Sequence, residues 1–186
     1  MNASELDTEK IEGKKNSGML LSIDVGTKNM GVAVVDRAGR SGPRLVDFAL
    51  LHCCTVKKPT IERACRDVFR ALTEYLDKLA KLPVDVDECM IEAQPRKNCR
   101  TKVLSHCIQV LMLGRGCSKV SFVSPKKKLK VKYKKYADRK KAAVAEATRV
   151  VALYPDLYLR FCALAKKDDV ADAILQTQLD FYFPAK

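Results

Sequence analysis

Met19-Leu-Leu-Ser-Ile-Asp-Val-Gly-Thr-Lys-Asn-Met-Gly-Val-Ala-Val-Val-Asp36 is the stretch on which the reading of the fold turns. Two β-rich apolar runs, Met19 to Asp24 and Met30 to Asp36, flank turn residues from Val25 to Asn29, and this pattern predicts a hairpin. Asp24 closes the first run as a carboxylate in otherwise apolar surroundings. Beyond the hairpin, Arg37 to Arg44 is a Gly/Pro/Ser turn region and Leu45 to Val56 supplies a third strand. From Thr60 to Lys81, apolar residues recur at helical spacing (Ile61, Ala64, Val68, Leu72, Leu76, Leu79), with Thr60 as N-cap and Arg63 where a capping box would place Glu. Glu88 to Glu92 reads as a fourth strand. A helix from about Asn98 to Leu113 follows, stopped by Gly114 and Gly116, and Lys119 to Val123 is a fifth strand closed by Pro125. Further helices run from about Tyr136 to Leu153, from Pro155, and from Asp168 to about Tyr182. A hairpin start followed by alternating strands and helices predicts an α/β domain, a mixed five-stranded sheet flanked by helices.

The 186 residues suffice for one domain with a sizeable core, and 47% of them are apolar. We assign residues 19–186 to that domain and read residues 1–18 as a disordered polar tail. No run approaches the roughly 18 apolar residues of a membrane helix. The tail carries Glu5, Asp7, Glu9 and Glu12, which suits neither the apolar core of a secretory signal nor an acid-poor transit peptide, so a cytoplasmic location is expected.

The charge is uneven. Thirty-five basic against 22 acidic residues give a net +13, which suits a partner made of phosphates. Lys126 to Lys141 alone holds ten Lys/Arg against one acid, Asp138, so most of the excess is a local device. Eight cysteines at 53, 54, 65, 89, 99, 107, 117 and 162 form no C-x2-C pair and have only His52 and His106 for company, which argues against structural zinc. Cys89, Cys107 and Cys162 fall inside apolar runs, where a reduced thiol behaves as a small buried hydrophobe.

The chemistry lies in acids at element ends: Asp24, Glu92 after Met90-Ile91, and Asp168, Asp169 and Asp172 at the start of the last helix. Spacing i, i+3 sets Asp169 and Asp172 about 60° apart around that helix, so both can face one point. Several carboxylates converging without Lys or Arg between them imply a cation there, and hard oxygen ligands select Mg²⁺ or Mn²⁺. Two such ions can activate a water and stabilise the leaving oxygen of a phosphodiester. With no histidine in these motifs, metal-bound hydroxide is the expected nucleophile. Singly, each acid also has a structural reading: strand-end Asp as a turn residue, Asp168 as an N-cap, Asp169 on the helix dipole.

In combination, Ser22-Ile-Asp-Val-Gly-Thr-Lys-Asn29, Ile91-Glu-Ala-Gln-Pro95 and Lys167-Asp-Asp-Val-Ala-Asp-Ala173 resemble the first, second and last motifs of the mitochondrial and poxvirus branch of RuvC-type resolvases. Val123-Ser-Pro125 and Tyr136-Ala-Asp-Arg-Lys-Lys141 are similar to the strand and basic helix start between those motifs in poxvirus Holliday junction resolvases. The resemblance covers about residues 20 to 182. It implies an RNase H-like fold and a Mg-dependent endonuclease that makes symmetric paired nicks in four-way junctions and related branched DNA, with two ions per active site. Asp24, Glu92, Asp169 and Asp172 become catalytic metal ligands, with the adjacent Asp168 a further metal ligand. DNA contacts are implied at Lys28, Asn29, Gln94, Arg96 and Lys97. Relatives usually carry Arg where this chain has Ala93, which shifts that contact toward Arg96 or Lys97.

The basic run alternates Lys130, Lys132 and Lys134 with Val131 and Tyr133, then continues through Arg139, Lys140 and Lys141, a pattern expected to hold phosphates without reading sequence. The helix from Asn98 to Leu113 is apolar nearly all round its second half, more than burial on one side requires. In RuvC-type enzymes this helix forms the dimer interface, so a homodimer is implied, with one active site per subunit meeting a two-fold junction. No membrane and no small-molecule cofactor enter that picture. Competing readings are a YqgF-type RNA-processing nuclease, whose opening motif also reads Asp-x-Gly-Thr-Lys, a sugar-kinase or actin-like ATPase, and a non-catalytic branched-DNA-binding protein on the same fold. The Glu92-Ala-Gln94 element and the Asp169/Asp172 helix favour the resolvase branch, the missing phosphate loops argue against the ATPase, and retention of all four acids argues against lost catalysis.

Overall fold

A computed structural model describes residues 18–39, 42–81, 85–95, 97–125 and 135–178. The predicted tail therefore lies outside the described residues, apart from Gly18. Strands β1 (Met19–Asp24), β2 (Asn29–Asp36), β3 (Arg44–His52), β4 (Val86–Glu92) and β5 (Lys119–Val123) form one sheet in the order β3-β2-β1-β4-β5. The expected hairpin is there: β1 and β2 pair antiparallel from Met19↔Asp36 to Asp24↔Gly31. β3 runs antiparallel to β2, and β4 parallel to β1, with Ile23 opposite Ile91. β5 is parallel to β4. The C-terminal ends of β1, β3, β4 and β5 consequently share one edge of the sheet.

Helices cover both faces, as a sheet with parallel strands requires. α1 (Ile61–Leu79) and α2 (Cys99–Gly114) pack on one face, where Ala64, Val68, Leu72, Leu104, Ile108 and Met112 close on Leu21, Ile23, Val32 and Ile91. Thr60 caps α1 as expected, its hydroxyl accepting from the Arg63 amide at 3.2 Å. The other face takes α3 (Tyr136–Val151), α4 (Pro155–Ala163) and α5 (Asp168–Thr177), packed through Ala147, Phe161, Val170 and Ile174 on Ala33, Val35 and Phe48. Central strand β1 is buried on both sides from Met19 to Ile23, so its apolar run is nearly unbroken.

Several boundaries differ from the sequence reading. β3 ends at His52 rather than Val56 because its partner begins at Asn29, the residue opposite His52, and leaves nothing further to pair with. α5 is closed by Gln178, short of the expected Tyr182; residues beyond 178 lie outside the described set. Asp168 is the first helical residue and not the N-cap, a position held by Lys167. Cys162 is exposed on α4, the reverse of the buried thiol expected there, because α4 turns Leu157 and Phe161 inward instead. Cys107 is half-buried, its sulfur 3.8 Å from that of Cys65, and Cys89 is buried.

Candidate active site

The register places two of the predicted acids side by side. Ile23 lies opposite Ile91 in the parallel β1–β4 pair, so Asp24 and Glu92 close neighbouring strands at the same edge. Alternation assigns their face. Leu21, Ile23, Cys89 and Ile91 belong to the core under α1 and α2, so Ser22 and Asp24 on β1, and Met90 and Glu92 on β4, face α5.

Two buried polar side chains fix α5 over that edge. The Ser22 hydroxyl donates to the Ala173 carbonyl at 2.8 Å, and the Gln176 amide donates to the Met90 carbonyl at 3.0 Å. Each tie lies two residues before a strand-end acid, and Ala173 directly follows Asp172. Asp169, Asp172, Ala173 and Gln176 are spaced i, i+3, i+4, i+7, so the helix stripe that carries both acids is the one turned to the sheet. Both tying residues are fully buried, and the Gln176 Oε1 has no hydrogen-bond partner among the described residues. Gly31, opposite Asp24, completes the fit: a Cβ there would overlap the Asp169 backbone carbonyl, so α5 seats its first turn directly on bare main chain.

Electrostatics at the start of α5 are organised by lysines. Lys140 of α3 pairs with Asp168, and Lys166 with Asp169. Burial works to raise the Asp168 pKa, but the Lys140 hydrogen bond and the Lys166 charge outweigh it and hold that carboxyl below its usual value. Burial likewise opposes the Lys140 charge, and its bonds to Asp168 and Tyr136 reverse that and keep the ammonium firmly protonated. Asp24, Glu92 and Asp172 are partly buried and have interactions of their own. Among the described residues, no three His, Cys, Asp or Glu side chains close into a metal-binding group. Asp24 and Glu92 share an edge and a face, and Asp169 and Asp172 lie on the α5 stripe turned to that face.

Of the implied DNA contacts, Lys28 stands exposed on the β1–β2 turn, whose backbone is held by the Cys53 amide donating to the Lys28 carbonyl at 2.8 Å. Asn29 Oδ1 lies 2.9 Å from His52 Nδ1, which puts a histidine at the carboxylate edge that no motif had singled out. The Gln94 amide donates to the Glu92 carbonyl at 3.2 Å, and Ala93 extends the β4–β5 ladder through a bond to Val123. Lys97, Arg139 and Lys141 are exposed, and Lys140 is engaged as above. Arg96, Lys130, Lys132 and Lys134 lie outside the described residues. Ser22, Gln176 and Gly31 were also missed. The signal available was a polar or side-chain-free residue inside a run otherwise bound for the core.

The family model described as Poxvirus A22 protein matches residues 18–181. No curated protein sequence matches the chain. Among solved structures, the Fowlpox virus resolvase, determined with its substrate Holliday junction DNA, superposes with a TM-score of 0.62 at 20% identity, over 89% of this chain and 99% of that one. Thermus thermophilus RuvC gives 0.58 at 15% identity over 84% and 89% of the two chains. The yeast mitochondrial Holliday junction resolvase Ydc2 gives 0.53 at 15% identity over 89% and 83%. These likenesses establish the RuvC-type, RNase H-like fold. The family match runs from the residue before β1 to beyond α5, and the chain belongs to the Poxvirus A22 protein family.

Proposed function

We propose that this protein is a structure-selective, divalent-metal-dependent endonuclease that nicks four-way (Holliday) junctions and related branched DNA in symmetric pairs. The observation that carries the reading is the placement of Asp24 and Glu92 on neighbouring parallel strand ends, facing the α5 stripe that holds Asp169 and Asp172. Family membership and the resolvase likenesses support it.

The donor set fits hard divalent cations. It is all carboxylate and drawn from three elements, with the Lys166 ammonium resting on one member, Asp169, and that of Lys140 on its neighbour Asp168. Asp24, Glu92, Asp169 and Asp172 would hold the ions, two Mg²⁺ or Mn²⁺, while Asp168, committed to Lys140, orients the helix start. Bound there, the ions would supply water activation and charge neutralisation at the phosphodiester. The chain itself brings the rest. In the sequence, Lys28, Asn29, Gln94, Arg96 and Lys97 lie close to Asp24 and Glu92, and Lys130, Lys132, Lys134, Arg139, Lys140 and Lys141 would grip the backbone so that the scissile phosphate meets the acids.

The enzyme acts as a homodimer in this reading. α2 turns Leu104, Ile108 and Met112 inward and leaves Val103, Val110 and Leu113 exposed, Val110 at 69%. With His106 these residues follow a 3-4-3 spacing, the seam of a packed helix pair, and Phe122 meets the His106 ring edge-on beside it. No described helix is long and apolar enough to cross a membrane, and a cytoplasmic site of action is proposed.

The test is incubation with a labelled four-way junction, a linear duplex and a structured RNA, with Mg²⁺ or with EDTA. Paired symmetric nicks in the junction alone, abolished by EDTA, are expected. Preferential RNA cleavage would instead support the YqgF-type reading.

A further inference from the structure

The carboxylate edge lies between two basic regions on opposite faces of the sheet. The first is the start of α3, where Lys135, Arg139 and Lys141 are exposed and Lys140 is tied to Asp168. It sits on the α5 face.

The second joins Lys28 and Lys97, already implied as DNA contacts, to cations that no sequence motif contains. Lys57 and Lys58 stand exposed on the connection from β3 to α1. Arg100, in the first turn of α2, donates from Nη1 to the Pro59 carbonyl at 2.7 Å and so draws that connection beside the α2 start. Lys97 and Lys102 are exposed there too. Because β3 and β4 both end at the carboxylate edge, all five cations leave that edge on the α1/α2 side. Lys28 on the β1–β2 turn adjoins them through the Cys53–Lys28 backbone bond. Acids do little to neutralise the group: the first turn of α2 has none, and Glu62 in the first turn of α1 is taken by Arg66 at 2.7 Å.

We propose that Lys28, Lys57, Lys58, Lys97, Arg100 and Lys102 form a second phosphate-binding tract that holds a second duplex arm of branched DNA. The proposal rests on the nuclease reading above and narrows it. A cut next to a branch point has phosphates of different arms on its two sides. A protein that grips both sides of its carboxylates, one tract per face of the sheet, therefore gains contacts from a fork. The β3–α1 and β4–α2 connections contribute discrimination, and the α3 start contributes affinity for any duplex.

The test uses the full chain carrying Lys57→Gln, Lys58→Gln and Lys102→Gln together, which leaves the Arg100–Pro59 bond in place. Binding to a four-way junction and to a linear duplex of the same sequence is titrated in EDTA across a range of salt, with circular dichroism as the folding control. Junction affinity is expected to fall roughly 10- to 100-fold and its log–log salt slope to lose about 2 to 3, with a change below about threefold on the linear duplex. Arg139→Gln with Lys141→Gln is expected to weaken both substrates alike. An unchanged junction affinity and slope, or equal losses on both substrates, would overturn the second tract. If the wild-type chain does not prefer the junction at all, the parent reading falls with it; if it does and the triple variant keeps that preference, the second tract alone is wrong.

Discussion

The two faces of the sheet are packed by different means. Under α1 and α2 the contact is largely apolar, Leu72, Leu76, Ile108 and Met112 closing on Leu21, Ile23 and Ile91, with Tyr75 donating to Asp47 at its margin. Under α5 the same strands meet a helix seated by polar ties, Ser22 to Ala173 and Gln176 to Met90, and by a glycine with no side chain to spare. Apolar burial is strong and non-directional, whereas a buried hydrogen bond is weak in net energy and specific in geometry. The first face is built for stability. The second sets the α5 stripe of Asp169 and Asp172 toward the face of Asp24 and Glu92.

The contrast is open to direct attack. Leu72→Ala or Ile108→Ala is expected to cost about 2–5 kcal/mol in denaturant unfolding, while cleavage per folded molecule stays near wild type. A smaller stability loss accompanied by failed cleavage would erase the distinction. Gly31→Val on the other face pushes against the Asp169 backbone, and a displacement near 1 Å at a reacting centre costs roughly 100-fold in rate. Single-turnover cleavage should fall by that order, with junction affinity held within about threefold. Ser22→Ala removes one buried bond worth about 1 kcal/mol, and its cleavage defect should exceed what that loss of stability explains, with Ser22→Thr restoring part of the rate.

The smallest effect belongs to the Lys140–Asp168 pair. Asp168 has a lowered pKa in the fold, so its stabilisation is present above the ordinary carboxylate value of about 3.9 and lost as pH falls through the lowered one. Asp168→Asn should therefore lower the melting temperature slightly at pH 7, by the equivalent of about 0.2–1 kcal/mol, and the gap should close in acid. A gap that widens on acidification would show that the pair is not the cause.

Much of this was legible from the chain. The hairpin, the Glu92 strand and the acidic helix start are dense local patterns, and local patterns survive folding. Hairpin register and strand alternation then set Asp24 and Glu92 on one face with little room for error. Three things were not legible. Ser22 and Gln176 are single polar residues in apolar runs, and their worth depends on partners 151 and 86 residues away. The second basic tract is assembled from three separate connections, none of them as dense as Lys126 to Lys141. Helical period shows that Val103 and Val110 share a face, but only the packing of Leu104, Ile108 and Met112 shows that this face is left outside. Cys162 failed for the same reason, since an apolar run does not say which of its members turns inward.

The account stands or falls on the four carboxylates acting as one metal-dependent nuclease site. The most direct measurement is single-turnover cleavage of a labelled four-way junction in Mg²⁺ by Asp24→Asn and by Glu92→Gln, with junction affinity measured in EDTA on the same preparations. The account predicts that each variant loses at least about 1,000-fold in cleavage rate and binds the junction as the wild type does. Cleavage by Asp24→Asn at the wild-type rate would contradict it.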